Sequence, residues 1–386
     1  MYTAERQRAQ PYLEKIGGPL YERWYLLHHR MLRIVTNRTT LAEQVKHFLY
    51  YAELLAEYTY DSSSQLPTDI PIDLLWQVGE RLHRPVALTC YLFETIPGEP
   101  FPPPPAEAKP DDAIWEDITG VEGPLRARWK RGSQRFREYQ AFPGVSSRIT
   151  SVLDKADLWA TLYVEDVSKC APWFVMRFVF YMLLGAMFGC DGFEIVHAAA
   201  IALDATGALI VGSPGSGKST LVLSCLQLAG MSHLADDVLF LAKDEGVVHV
   251  YSFPEDIGVR AGSSELLGQY EFMQTLLKDE REKRFVTIQQ YFRDQVVNAR
   301  PVRLMLFVHA LNRAPEFRVE PLSPAQAVSW LMHEYISQQK AQEGDADYMF
   351  DIFSDMASQS ASYRLWLTPD PQANANSVRA LLQQHV

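Results

Sequence analysis

Gly212-Ser213-Pro214-Gly215-Ser216-Gly217-Lys218-Ser219 is a complete G-x-x-x-x-G-K-[ST] run, preceded by the apolar stretch Ala208-Leu209-Ile210-Val211 and followed by the apolar stretch Thr220 to Leu228. A short apolar run, a glycine loop and a longer apolar run read as strand, loop and helix. The glycines let backbone amides turn inward around phosphate oxygens, and the start of a helix adds a field that favours anions. Lys218 is placed to reach the outer phosphates and the Ser219 hydroxyl to ligate Mg²⁺. The run therefore predicts an α/β phosphate-binding domain, with Gly212, Ser213, Pro214, Gly215, Ser216, Gly217, Lys218, Ser219 and Thr220 around a nucleotide.

On either side of the loop a polar group interrupts an apolar stretch. His197 lies fifteen positions before Gly212, in Phe193-Glu194-Ile195-Val196-His197-Ala198-Ala199-Ala200-Ile201, and a hairpin through Asp204-Ala205-Thr206-Gly207 brings it back toward the phosphates. Asp236 and Asp237 follow Lys218 by eighteen and nineteen positions, at the start of Val238-Leu239-Phe240-Leu241. Alone, His197 reads as a strand histidine and the Asp-Asp pair as a turn or cap. Their spacing to the loop makes them site candidates: one carboxylate for a metal, the other for a proton.

This constellation resembles the catalytic domain of the HPr kinase/phosphorylase family, whose fold is shared with phosphoenolpyruvate carboxykinase. A histidine opening a strand, a loop ending in Gly-Lys-Ser, a helix and an Asp-Asp pair occur in that order; the resemblance spans about residues 190 to 386. Pro254 to Leu267 and Lys283-Arg284-Phe285 are similar to the family's proline-then-arginine segment and basic turn. The Pro-Gly-Arg-Asn segment of the sugar-regulation enzymes is missing, which points away from HPr as the substrate.

The resemblance implies an ATP- and Mg²⁺-dependent kinase. It would transfer a phosphoryl group to a hydroxyl, a serine or threonine of a protein, a peptide (ribosomally made peptides included) or a small metabolite. Phosphoryl transfer needs charge neutralisation, a metal and a base. Lys218 supplies the first, Ser219 and Asp237 the second and Asp236 the third, with His197 supporting the base and Arg260, Lys283 and Arg284 neutralising charge. Which aspartate is base and which is ligand stays open, as do GTP or pyrophosphate as donor and a reverse phosphorylase activity. A nucleotide-dependent switch without a phosphoacceptor is the alternative; a carboxykinase-like reaction ranks last, for want of an arginine cluster.

The 386 residues, 47% hydrophobic, suffice for two domains. A net charge of −11 argues against general nucleic-acid binding. The local basic run Arg126, Arg128, Lys130, Arg131, Arg135 and Arg137 reads as a solvated face or partner contact. Four cysteines without C-x-x-C spacing and an N-terminus without a signal-peptide profile predict a cytoplasmic protein. Ala171 to Cys190 is greasy enough to raise a membrane question, but Arg177 inside it favours a buried helix on the kinase sheet. Relatives in the resembled family include hexamers, which leaves a homo-oligomer open.

Leu20, Trp24, Leu27 and Met31, then Leu41, Val45, Phe48 and Leu49, fall at helical spacing. They predict a mainly helical N-terminal region over 1–110, a recognition part for the acceptor ending in the proline-rich linker Pro97 to Pro110. Leu74 to Leu92 reads as further helix and strand. The catalytic domain is expected over 111–386, with extra strands near Ile149 to Leu153 and Ala160 to Tyr163. A strand over Val302 to Ala310, a helix from Pro324 capped by Ser323, a strand over Tyr363 to Leu367 and a terminal helix follow.

Overall fold

The computed structural model describes residues 18–61, 70–82, 87–95, 114–117, 125–131, 134–139, 147, 149–154, 158–170, 175–189, 192–253, 256–259, 266–273, 277–278, 284–309, 315–338 and 346–385. The chain divides into two compact units, Met1–Asp191 and Gly192–Val386. The division falls immediately before the loop domain, not at the proline-rich stretch near 110, which lies outside the described residues.

In the first unit, strands replace the helix expected over Leu20 to Met31. β1 (Pro19–Leu27) and β2 (Arg30–Thr36) form an antiparallel hairpin. α1 (Thr39–Phe48) is a helix as expected, burying Leu41 and Val45, and β3 (Glu53–Asp61) pairs with β1. The helical spacing misleads because β2 is buried at every position, so its apolar residues do not alternate. The turn itself, His28-His29, carries φ of 51° and 57°. Positive φ at both central residues is the tight-hairpin conformation that sequence normally announces with Asn-Gly.

α2 (Ile72–Val78) and β4 (Ala87–Glu94) supply the further helix and strand. β5 (Ile114–Asp117), β6 (Leu125–Arg131) and β7 (Gln134–Tyr139) lead to β8 (Ile149–Asp154) and β9 (Trp159–Val164). All nine strands make one sheet in the order β3-β1-β2-β4-β9-β8-β7-β6-β5. The strands expected at 149–153 and 160–163 are therefore present, but in this sheet rather than on the loop domain. The basic run lies on the antiparallel β6–β7 pair.

A turn of π-helix, Val175–Phe180, continues into α3 (Tyr181–Gly189), which packs on β8 and β9 of this unit, not on the sheet of the glycine-loop unit as expected. Phe180 meets Phe48 edge-on at 5.8 Å, and Phe188 meets His28 at 5.5 Å. Phe180 and Phe188 are thereby buried within the first unit. Among the described residues, no helix is long and apolar enough to cross a membrane.

The second unit begins with β10 (Glu194–Val196), β11 (Ala199–Leu203) and β12 (Thr206–Val211), followed after the glycine loop by α4 (Lys218–Cys225). β13 (Met231–Ala235), β14 (Leu239–Asp244), β15 (Val247–Tyr251), β16 (Ile257–Val259), β17 (Leu277–Lys278) and β18 (Arg284–Val286) come next. β19 (Ala299–His309), β20 (Arg318–Pro321), α5 (Pro324–Gln338), α6 (Ala346–Gln359), β21 (Ala361–Trp366) and α7 (Pro371–Gln383) complete the unit. Ser323 and Gln326 cap α5 reciprocally, and Asp370 accepts from the amides of Gln372 and Ala373 to start α7.

Around the loop strand the order is β20-β21-β19-β12-β11-β13. β12, β19 and β21 run parallel, and β13, antiparallel to the antiparallel β11, points the same way. The carboxyl ends of four strands thus gather at one edge, the position where open α/β sheets place their ligands. Leu209, Val211, Met305 and Phe307 face a core closed by Leu331, Met349 and Phe353 from α5 and α6. α4 and α7 pack on each other and on β11.

Candidate functional site

Gly212 follows β12 where a Cβ would stand 2.6 Å from the Val308 carbonyl and 2.7 Å from Ser216 Oγ, so only glycine fits. Gly217 caps α4 with φ of 98°, a left-handed turn that glycine adopts at no steric cost. Between them the chain doubles back, the Ser216 amide donating to the Ser213 carbonyl at 3.0 Å.

Lys218, buried to 5% exposure, folds back onto the loop: Nζ donates to the Gly212 carbonyl at 2.5 Å and to that of Ser213 at 3.5 Å. Burial lowers its pKa, against the pull of the carboxylates Asp237, Asp236 and Glu334. An ammonium held by two carbonyls in a desolvated loop is primed to exchange them for anionic oxygens.

The two aspartates leave β13 in different directions. The Val238 amide donates to the Asp236 carbonyl at 3.0 Å, closing a three-residue turn around Asp237, whose φ is 72°. A positive φ in such a turn is the strained form, of the kind that accumulates at functional sites. Asp236, only 3% exposed, accepts a hydrogen bond from Ser219 Oγ at 2.8 Å. Asp237 stands half exposed with Oδ1 3.4 Å from His197 Nε2. His197 lies in the two-residue step between β10 and β11 rather than opening a strand.

Residues 214–220 of the loop and helix start, His197 and Asp237 line one cavity of about 390 Å³, while Gly212 and Ser213 stand behind it as acceptors of the Lys218 ammonium. Asp236 joins them through Ser219. Arg260 and Lys283 lie outside the described residues, and Arg284 is placed only as part of β18.

Sequence reasoning missed three contributors. His309, the last residue of β19, lines the cavity and touches Trp330 at 5.0 Å between ring centres. Burial and Arg364 lower its pKa, against Glu334. Glu334 of α5 accepts from Ser213 Oγ at 3.0 Å, tying the loop to that helix. Leu367, Thr368, Pro369 and Pro371 after β21 line the cavity as well, with Asn374, and Leu367 Cδ1 stands 3.4 Å from where a Cβ on Gly217 would lie. Like His197, His309 is a polar residue ending an apolar run, so that signal was present; Glu334 and Leu367–Pro371 have none without the sheet order.

A ligand of this cavity must suit its donors. Ser219 Oγ and Asp236 Oδ2, 2.8 Å apart, match neighbouring corners of a Mg²⁺ octahedron, whose ligands at about 2.1 Å stand about 3 Å from each other. Among the described residues, no group of three or more His, Cys, Asp or Glu is arranged to hold a metal. Mg²⁺ needs no such cage, taking one or two protein oxygens and completing its shell with phosphate and water.

The fold and site define a mixed α/β protein with a glycine-loop cavity at the carboxyl edge of its sheet. No family model and no curated protein matches the chain. Among solved structures it is similar to the Hpr(Ser) kinase/phosphatase from Coxiella burnetii, at 14% identity and a TM-score of 0.26, over 50% of this chain and 97% of that one. At that score the likeness carries no weight beside the geometry.

Proposed function

We propose that this chain is a phosphotransferase that moves the terminal phosphoryl group of a Mg²⁺-bound nucleotide, ATP foremost, to a hydroxyl. The acceptor is a serine or threonine of a protein or peptide, or a small metabolite. The observation that carries the reading is the pairing of Ser219 with Asp236 and of His197 with Asp237 in one cavity around Lys218. A binding-only site has no use for the second pair.

In this reading Ser219 and Asp236 hold the metal, and Asp237 accepts the acceptor's proton, the reverse of the roles first expected from the sequence. Two features support the exchange. Asp236 is buried against Ser219, out of an incoming hydroxyl's reach, whereas Asp237 is half exposed at the cavity. His197 Nε2 beside Asp237 holds that carboxylate in place while it takes up the proton. Lys218 releases the loop carbonyls and draws the transferring oxygens toward the loop amides. When bound, the metal supplies further neutralisation of phosphate charge. The first unit serves acceptor recognition in this scheme.

Incubation of the full chain with γ-labelled ATP, Mg²⁺ and cell extract or candidate peptides tests it, with Asp237→Asn as control. Label on a discrete acceptor, absent with the variant, is the expected result. Nucleotide binding without transfer to any acceptor overturns the kinase reading in favour of a switch.

A further inference from the structure

His309 lines the cavity and has no part in the scheme above. Its place is set by the backbone. Val211 pairs with Phe307 in the parallel β12–β19 ladder, and a Cβ on Gly212 would stand 2.6 Å from the Val308 carbonyl, so the last residue of β19 emerges beside the entry to the glycine loop. The Lys218 ammonium rests at that same entry, on the Gly212 and Ser213 carbonyls. Glu334 lies near both side chains: it accepts from Ser213 Oγ, and its charge pulls upward on the pKa of Lys218 and of His309 alike. Lys218 and His309 therefore flank one stretch of loop.

The imidazole is held in place. Trp330 meets it edge-on at 5.0 Å between ring centres, packs edge-on against Phe307 at 5.6 Å and carries the Arg364 guanidinium 5.3 Å over its own face. Arg364 also stacks on Trp366, at 4.6 Å, and Trp366 is the residue that pairs with His309 across β19 and β21. Trp330 and Glu334 stand four positions apart on α5, so the helix that fixes the ring also fixes the start of the loop. Burial and Arg364 lower the His309 pKa, which leaves the ring uncharged at neutral pH with one nitrogen carrying hydrogen. Nε2 is buried, yet it has no hydrogen-bond partner among the described residues. An apolar ring would serve packing on Trp330 without that cost, so an orphaned nitrogen beside a cavity calls for a partner that enters the cavity.

We infer that His309 donates a hydrogen bond to an outer phosphate oxygen of the bound nucleotide, so that this phosphate sits between an ammonium and an imidazole. The inference rests on the phosphate-site reading above. An oxygen that replaces the Gly212 and Ser213 carbonyls on Lys218 is drawn to the stretch of loop that His309 borders. Among the described residues lining the cavity, Lys218 carries the one permanent positive charge. The uncharged imidazole adds a directed donor there without repelling it.

The test is calorimetric binding of Mg²⁺-ATP to the full chain, with no turnover required. His309→Phe keeps a ring against Trp330 and removes both nitrogens; it is expected to bind about 10- to 100-fold more weakly, the size of a lost hydrogen bond to a charged group. His309→Asn and His309→Gln give up the ring but place an amide near Nδ1 or Nε2, and at least one of them should recover most of the affinity. A packing role gives the reverse order, with His309→Phe binding like the unmodified protein and the amides impaired. That order, equal affinities throughout, or a weakened His309→Phe that neither amide restores overturns the inference and leaves the phosphate site standing. Failure of the unmodified protein to bind Mg²⁺-ATP overturns the phosphate-site reading and this inference with it. Where a thermal melt shows His309→Phe unfolded, His309→Leu against His309→Asn, near-equal in size and unlike in the amide, makes the same comparison.

Discussion

Ser219 Oγ, at the first turn of α4, donates a 2.8 Å hydrogen bond to Asp236 Oδ2 at the end of β13. The bond joins the glycine loop to the strand two places away and places a hydroxyl and a carboxylate oxygen at one metal-sized site. Ser219→Ala and Asp236→Asn should both raise the Mg²⁺ concentration needed for nucleotide binding, by about 10- to 100-fold, as loss of metal-supporting groups does. Titration of Mg²⁺ at fixed nucleotide checks this. An unchanged requirement in both variants would show that the pair is only structural.

Asp237 and His197 form the other pair, and if Asp237 is the base proposed above, removing it should separate binding from chemistry. Asp237→Asn is expected to keep nucleotide affinity within a few-fold and to lose about 10²- to 10⁴-fold in transfer. His197→Ala should lose less, because the carboxylate remains. Single-turnover rates beside equilibrium binding make the distinction. Full transfer by Asp237→Asn returns the base role to Asp236.

Gly212→Ala places a methyl group 2.6 Å from the Val308 carbonyl, a backbone atom that cannot swing away. Overpacking of this kind costs about 1–3 kcal/mol. The variant should melt lower and lose nucleotide binding, whereas Gly246→Ala, at an open position with φ of 82°, should suffer only the backbone strain. Thermal melts of both with and without ATP report the difference.

His233, in the middle of β13, is fully buried, and neither ring nitrogen has a hydrogen-bond partner among the described residues. Burial lowers its pKa from 6.5 to about 3. Above pH 6.5 the ring is neutral in both folded and unfolded chains, so stability there does not depend on it. Between pH 6.5 and about 3 the unfolded chain takes up a proton that the folded chain refuses, and stability falls as pH falls, by at most about 1.4 kcal/mol per pH unit. His233→Leu should flatten this acid slope in denaturant unfolding. A slope unchanged by the substitution would falsify the assignment to His233.

The glycine loop was legible because its chemistry is contiguous. Backbone torsions at Gly217, the helix start and the Lys218-Ser219 pair are set within a few residues, so sequence alone determined that a glycine turn stands between strand and helix. His197 and the Asp236-Asp237 pair were legible as interruptions of apolar runs, but their division of labour was not. That depended on the strained turn at Asp237, which sends one carboxylate to Ser219 and the other to His197.

The first unit shows the opposite case. Leu20, Trp24, Leu27 and Met31 fit a helix in spacing alone, yet they sit on a hairpin closed by His28-His29, because β4 and β3 flank it and bury its strands. The greasy helix before Gly189 and the strands at 149–154 and 159–164 likewise belong to this unit and not to the loop domain. Local sequence determined the loop because short-range torsions and adjacent side chains suffice to make it. Only the tertiary structure decided the sheet of the first unit, the partners of the two aspartates and the walls of the cavity, because each depends on residues far apart in the chain being brought together by strand pairing and burial.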